Sequence, residues 1–216
     1  MTDIIIAENG LSRQDELEFA KALQFLGMQK LLILQPPRKG RVKTPDIPNI
    51  KIHTGLIFDS DNYNSSGSYT DKIRVLDARR INNEKLREII EKHDFEIIIN
   101  FSGKNSRKTM HFPSGAINQV TAALMKQKSI IAVFSPEDIE YLNTAMFNSK
   151  ALSKEKVRMA FCSNAKMPLQ LRNEKDLLAI ASLIGLDESI VKESKLSIDT
   201  AIAYKSYNSD TITSQR

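Results

Sequence analysis

The chain has 216 residues, 41% of them apolar, and a formal charge of +5: enough to bury one large core, with no stretch composed like a flexible interdomain linker. No apolar run approaches the ~20 residues that a bilayer requires, and the opening residues lack the basic start and long apolar core of a signal peptide, so a cytoplasmic protein without membrane association is expected. Cys162 is the only cysteine, which excludes an intrachain disulfide and a multi-cysteine zinc site; among Met159, Ala160 and Phe161 it reads as a packed core thiol.

Residues 3–7 form a short buried strand, and the capping pattern Ser12-x-x-Asp15 opens a helix whose Phe19, Ala22, Leu23 and Leu26 make one apolar stripe ending at Gly27. Residues 31–34 are the next strand. Its exit is broken by four prolines and carries Arg38, Lys39, Arg41 and Lys43. A third strand spans 50–58, and the Ser/Asn/Gly-rich segment 59–71 reads as a mobile loop. Strand 73–76 runs into Asp77, Arg79 and Arg80, and Asn82 or Asn83 caps a helix with Leu86, Ile89 and Ile90 inward.

The isoleucine run in 96–101 predicts a strand buried on both faces, with Lys104, Arg107, Lys108 and His111 in its exit loop. Ser114 is the expected cap of the next helix, which would bury Ile117, Val120 and Leu124. Strand 130–134 leads to Ser135-Pro136-x-Asp138, the start of a helix displaying Ile139, Leu142 and Met146 inward. From Val157 the chain makes a complete strand-loop-helix unit. Asn173 is placed as its N-cap, Asp176 at the third helical position, Leu177, Ile180, Ala181 and Ile184 on one face, and Gly185 at the stop. Asp187 caps a final helix with Ile190, Val191, Ser194, Ile198 and Ile202 inward, which makes residues 1–207 a single domain followed by a polar tail, 208–216.

Alternating strands and helices predict an α/β fold with mainly parallel strands and outer helices. About seven strands in this order fit a barrel or a doubly wound open sheet, and no dinucleotide fingerprint favours the latter. In either, the loops after strands lie at one end. Basic clusters after the second, fourth, fifth and seventh strands, the last with Lys166 and Arg172, would share a positive rim suited to phosphate. Solvated lysines scattered over an ordinary surface are the plainer reading, and Lys126, Lys128 and Arg158, expected at the opposite end, dilute the asymmetry.

Evidence for protein-based chemistry is thin. His53, His93 and His111 are isolated, with no His-x-His or His-x-x-x-His spacing to place two imidazoles on one face. His53 and His93 read as structural. Asp77, Asp59 and Glu8 each follow a strand and offer oxygen to a hard cation, yet carboxylates at strand ends are common by chance. There is no nucleophile elbow and no phosphate-cradling glycine loop. Among aromatic residues, Tyr63, Tyr69, Phe112 and Tyr207 fall outside the core pattern, where they could stack on unpaired bases.

The pattern Phe161-Cys162-Ser163-Asn164-Ala165, followed after a short loop by Leu171-Arg172-Asn173-x-x-Asp176-Leu177, resembles the closing strand-loop-helix unit of the ribonuclease P protein component 3 family of archaea and eukaryotes. Ile81-Asn82 and His93-Asp94-Phe95-Glu96-Ile97-Ile98, and the run from Gly115 to Val120 behind a Gly-Lys and Arg-Lys loop, are similar to two further stretches of that family. Asn83 and Gln119 depart from its usual arginine and histidine. The resemblance implies a TIM-like barrel of the polymerase-and-histidinol-phosphatase kind, irregular or incomplete here. The implied role is as a protein subunit of the RNA-based endonuclease that removes the 5′ leader of precursor tRNA. It further implies that the RNA is the catalyst and uses Mg²⁺, that no residue of this chain is catalytic, and that the chain binds neither metal nor other cofactor itself. Its partners would be the ribonuclease P RNA, a second small protein subunit in a heterodimer or heterotetramer, and, through the complex, precursor tRNA. Arg38, Lys39, Arg79, Arg80, Lys104, Arg107, Lys108, Lys166 and Arg172 are the implied RNA-binding residues. The rival is a free-standing metal-dependent phosphoesterase of the same fold.

Overall fold

The computed structural model describes residues 2–7, 13–37, 49–101, 117–190, 192 and 198–205. Seven strands, β1 (Thr2–Ile6), β2 (Lys30–Gln35), β3 (Lys51–Phe58), β4 (Ile73–Asp77), β5 (Ile97–Ile99), β6 (Ile131–Phe134) and β7 (Arg158–Phe161), lie in sequence order, every neighbouring pair parallel. The sheet curls until its edges meet. Beyond β7 the Ala165 amide donates to the Ile4 carbonyl at 3.3 Å, and the Ile6 amide donates to the Ala165 carbonyl at 2.9 Å. The result is an incomplete TIM-like barrel, with seven strands among the described residues where eight are usual and one bridge at its seam.

The two-residue period of each strand sorts side chains between lumen and exterior. Ile4, Ile6, Leu32, Leu34, Ile57, Val75, Ile97, Ile99, Ile131, Val133, Ala160 and Cys162 form one buried lumen cluster. Their alternate neighbours, among them Ile5, Ile33, Phe58, Ile98, Phe134 and Phe161, pack outward in separate clusters. Burial on both faces explains why these strands read as unbroken apolar runs. Gly55 in β3 marks a close approach, because a Cβ there would lie 3.2 Å from the Ile73 carbonyl oxygen.

The outer layer holds α1 (Arg13–Phe25), α2 (Asn83–Lys92), α3 (Gln119–Gln127), α4 (Leu142–Lys154) and α5 (Glu174–Leu183). Asn82 caps α2 by accepting from the Lys85 amide, and Gly185 ends the last turn after α5 with φ of 80°. Three expectations need correction. Asn118 caps α3, so Ile117 lies before the helix and Val120 is left 55% exposed; Ser114 is outside the described residues. Pro136–Tyr141 winds as a 3-10 helix before α4, which buries Ala145, Asn148, Ser149 and Leu152 while Leu142 and Met146 face out. The segment 59–71 contains a 3-10 helix, Tyr63–Ser68. Its Tyr63 packs edge-on to His93 at 5.4 Å, and Tyr69 lies 6.0 Å from Phe58.

The final helix is turned to a different use than an outer layer. Its segment 198–205 puts Ile198 and Ile202 against the lumen cluster at the amino-terminal end of the strands. Asp199 accepts from the Thr2 hydroxyl and from Lys30 Nζ, at 2.5 Å for the latter, and Lys205 reaches Glu96 at 2.8 Å.

Asp3 holds the seam from within. Its Oδ1 accepts from the Ile4 amide at 2.8 Å and the Ser163 amide at 2.7 Å, while Oδ2 has no hydrogen-bond partner. Burial raises its pKa above the ordinary 3.8, against the opposing pull of the Ser163 and Ile4 hydrogen bonds. A carboxyl with a raised folded pKa holds its proton more tightly folded than unfolded, so its contribution is complete below the unfolded value and is lost as pH rises through the folded one. Asp3→Asn keeps an oxygen acceptor and does not ionise. Urea melts from acid to neutral pH should find its stability relative to wild type increasing as pH rises above about 4. A difference that does not change with pH would contradict a raised pKa for the seam carboxyl.

Candidate nucleic-acid interface

The carboxyl-terminal end of the strands collects four of the residues expected to bind RNA. Arg79 and Arg80 leave β4, and Lys166 and Arg172 follow β7, three strands further round. They form two separate groups. Arg38, Lys39, Lys104, Arg107 and Lys108 lie outside the described residues, as do Arg41, Lys43, His111, Phe112 and Tyr207.

The β4 group is balanced by carboxylates. Arg79 Nη2 sits 3.2 Å from Glu137 and 3.8 Å from Asp77, and Asp77 Oδ1 accepts from the Arg79 amide at 3.0 Å. Arg80 is exposed beside it, on a shallow cleft of about 250 Å³ that also takes in Asp59, Ser60 and Asp61. Asp59 Oδ1 is used by its own loop, accepting from the Asp61 and Asn62 amides. An anion would meet Arg80 first, because Arg79 is already held by two acids.

The β7 group is different. Arg172 Nη1 donates to the Leu169 carbonyl at 2.6 Å and the Leu171 carbonyl at 2.9 Å, which fixes the plane of the guanidinium at the surface, and no carboxylate pairs with it among the described residues. A fixed guanidinium keeps its remaining donors for a phosphate or its face for a base. The Lys166 amide is tied to Gln170 Oε1 at 2.7 Å, which positions the half-buried Lys166 on the same loop. Below them Asn173 accepts from the Asp176 amide at 2.9 Å and donates to Asp176 Oδ2 at 2.9 Å. Asn173→Ala should therefore cost about 1 kcal/mol of stability through the lost cap. Loss of RNA affinity with an unchanged melting temperature would instead make Asn173 a contact residue.

Two asparagines stand at the same end: Asn164, within the family-like motif after β7, and Asn100, which sequence reasoning passed over. Asn100, after β5, and Asn164, after β7, both have left-handed backbones, with φ of 55° and 46°. They are 6% and 2% exposed, and Asn100 Nδ2 and both amide atoms of Asn164 have no hydrogen-bond partner among the described residues. Asparagine adopts this conformation more readily than most residues, so its place directly after a buried run was the available signal.

Two of the three histidines are far from that end. His53 lies low on β3, where burial is the main influence depressing its pKa and Lys51, Asp199 and Lys30 are the neighbouring charges. His93 ends α2, with Nδ1 3.4 Å from the Ser66 hydroxyl. Among the described residues no three His, Cys, Asp or Glu side chains gather so as to hold a metal ion. Lys126, Lys128 and Arg158 stand at the amino-terminal end as expected: Lys126 Nζ donates to the Lys156 carbonyl, Lys128 Nζ to the Glu91 carbonyl, and Arg158 to the Ser129 carbonyl.

No protein-family model matches this sequence, and no curated protein is recognisably similar to it. Solved structures are. A chain in the cryo-EM structure of archaeal ribonuclease P with mature tRNA superposes with a TM-score of 0.67 at 16% identity, over 94% of this chain and 91% of that one. Histidinol phosphate phosphatase from Lactococcus lactis, solved with zinc, L-histidinol and phosphate, superposes with a TM-score of 0.53 at 8% identity, over 85% and 93%. At these identities the likeness establishes the fold, a TIM-like barrel common to a component of an RNA-processing complex and to a phosphatase.

Proposed function

We propose that this chain is a protein subunit of ribonuclease P, binding and supporting the catalytic RNA together with a second small protein. The observation that carries the reading is the shared fold along nearly the whole of both chains, 94% and 91%, with a chain of archaeal ribonuclease P. It agrees with the residue patterns around Asn82, Gly115 and Arg172, which point to the component 3 family of such subunits. In this role the chain supplies shape and positive charge, and Mg²⁺ belongs to the RNA. Arg80, Arg172 and Lys166, with the basic residues of the loops after β2 and β5, would neutralise phosphates, and precursor tRNA would be met through the complex. No described helix is long and apolar enough to cross a membrane, in keeping with a cytoplasmic complex.

A second reading, a metal-dependent phosphoesterase, is favoured by the likeness to histidinol phosphate phosphatase. It stands second because His53 and His93 sit at the end of the barrel away from Asp59 and Asp77. The two readings separate in one assay. The purified chain should neither cleave precursor tRNA nor hydrolyse a generic phosphoester, monoester or diester, with added Mg²⁺ or Mn²⁺. Adding it, with its small partner, to the ribonuclease P RNA of the same organism should accelerate release of the 5′ leader. Phosphoester turnover by the chain alone that is lost in Asp77→Asn would overturn the proposal in favour of the phosphoesterase.

A further inference from the structure

A cleft that carries several cations lies at the amino-terminal end of the barrel, beside the closing segment 198–205. It encloses about 600 Å³ and is lined by Arg74, Lys128, Arg158 and Lys205 against two carboxylates, Asp94 and Glu96. That volume is within the range of small-molecule sites. The carboxylates are already engaged. Glu96 is shared by Arg74 Nη2 at 2.9 Å and Lys205 Nζ at 2.8 Å, and Asp94 pairs with Lys128 at 3.1 Å while its side chain is 74% exposed.

Arg158 is the cation left over. Its guanidinium donates to the Ser129 carbonyl, which anchors it at the cleft wall, and among the described residues it has no carboxylate partner. The same cleft is lined from the closing helix by Tyr204, an aromatic ring 67% exposed although its neighbours Ile198 and Ile202 are buried. A guanidinium held by one carbonyl suits a phosphate, and an exposed phenol ring suits the face of a base. Lys205, Thr200 and Ser129 also line the cleft.

From this juxtaposition we infer that the amino-terminal cleft binds a nucleoside monophosphate unit, with its phosphate on Arg158 and its base against Tyr204. The unit is either a free mononucleotide or one residue of a single-stranded RNA, since both present the same chemistry. The inference is independent of the ribonuclease P reading, because a chain that joined no RNA complex would still carry the cleft.

The experiment is fluorescence anisotropy of the full chain with a labelled oligoadenylate of about ten nucleotides, within the span of a typical single-strand site, competed with AMP and with inorganic phosphate. Tyr204→Ala should weaken binding roughly tenfold through lost stacking. Arg158→Ala should weaken it too and flatten its salt dependence by about 0.7 of a log-log unit, the share of one phosphate on a single strand. Both side chains are exposed, and thermal melts verify that both variants fold. Displacement by AMP better than by phosphate identifies a free mononucleotide as a sufficient ligand. Binding that AMP does not displace, with the same two variants impaired, identifies the strand. The inference is overturned if neither probe binds, if Tyr204→Ala and Arg158→Ala bind like wild type, or if losses are confined to Arg80→Ala and Arg172→Ala on the rim.

Discussion

Glu96→Ala is expected to lower the stability of the protein by about 3 kcal/mol or more, a large share of what a domain of this kind possesses. Arg74 is held with its side chain only 8% exposed, and Glu96, 18% exposed, is its counter-charge at 2.9 Å. Glu96 also accepts from the Arg74 amide at 2.7 Å and receives Lys205 from the closing helix. Truncating the acid leaves a buried guanidinium without a partner, which costs far more than the pair itself contributes. The double replacement Arg74→Met/Glu96→Leu should recover part of the loss, because it removes the unpaired guanidinium while still leaving Lys205 and the Arg74 amide without their shared acceptor. Urea melts of the three variants measure this directly. A loss below about 1 kcal/mol for Glu96→Ala, the size expected of an exposed pair, would mean that water reaches Arg74. Glu88→Ala, which breaks only exposed pairs with Lys85 and Lys92, serves as that comparison.

Ile198→Ala is expected to cost about 2–5 kcal/mol, the penalty for a cavity in a packed core. Ile198 is 1% exposed and belongs to the lumen cluster with Ile4, Ile97 and Ile131, so its loss opens space beneath the barrel that the strands cannot collapse to fill. Tyr204→Ala, on the exposed side of the same segment, should stay within about 0.5 kcal/mol of wild type. Thermal melts distinguish the two outcomes. Equal effects would mean that the segment lies on the barrel as an ordinary outer helix and does not close it.

Strands such as 97–99 and 131–134 were legible because burial on both faces leaves an aliphatic signature that little else produces, whereas β3, buried only in its second half, was read from its alternation. Helices α2 and α5 were legible from their caps, Asn82 and Asn173. The face of α4 was not. Pro136 starts a 3-10 turn that advances about 120° per residue, so the apolar phase read from Ile139 onward is rotated by the time the α-helix begins, and Leu142 and Met146 end outside. Segment 59–71 looked like a solvated loop because composition carries no record of its partners. Phe58, Phe95 and His93, which receive its tyrosines or pack beside them, belong to other parts of the chain. The apolar stripe of the last helix was visible at Ile198 and Ile202, but periodicity says that a face is buried without saying against what.

At the candidate site, the sequence placed Arg79, Arg80, Lys166 and Arg172 at one end of the barrel, and the structure agrees. It could not reveal that Arg79 is neutralised by Glu137, 58 positions away, or that Arg172 is anchored on two carbonyls. Long-range charge pairing depends on loop paths, which local patterns do not encode. For the same reason the orphaned amides of Asn100 and Asn164 emerge only from the folded chain.

The central claim, that this barrel serves a catalytic RNA, is tested most directly by affinity purification of the chain from its own cells with sequencing of the bound RNA and identification of the bound protein. The account predicts one abundant, structured RNA whose removal abolishes release of the 5′ leader from precursor tRNA, accompanied by a second small protein. Recovery of the chain free of RNA, together with metal-dependent phosphoester hydrolysis that survives nuclease treatment, would contradict it.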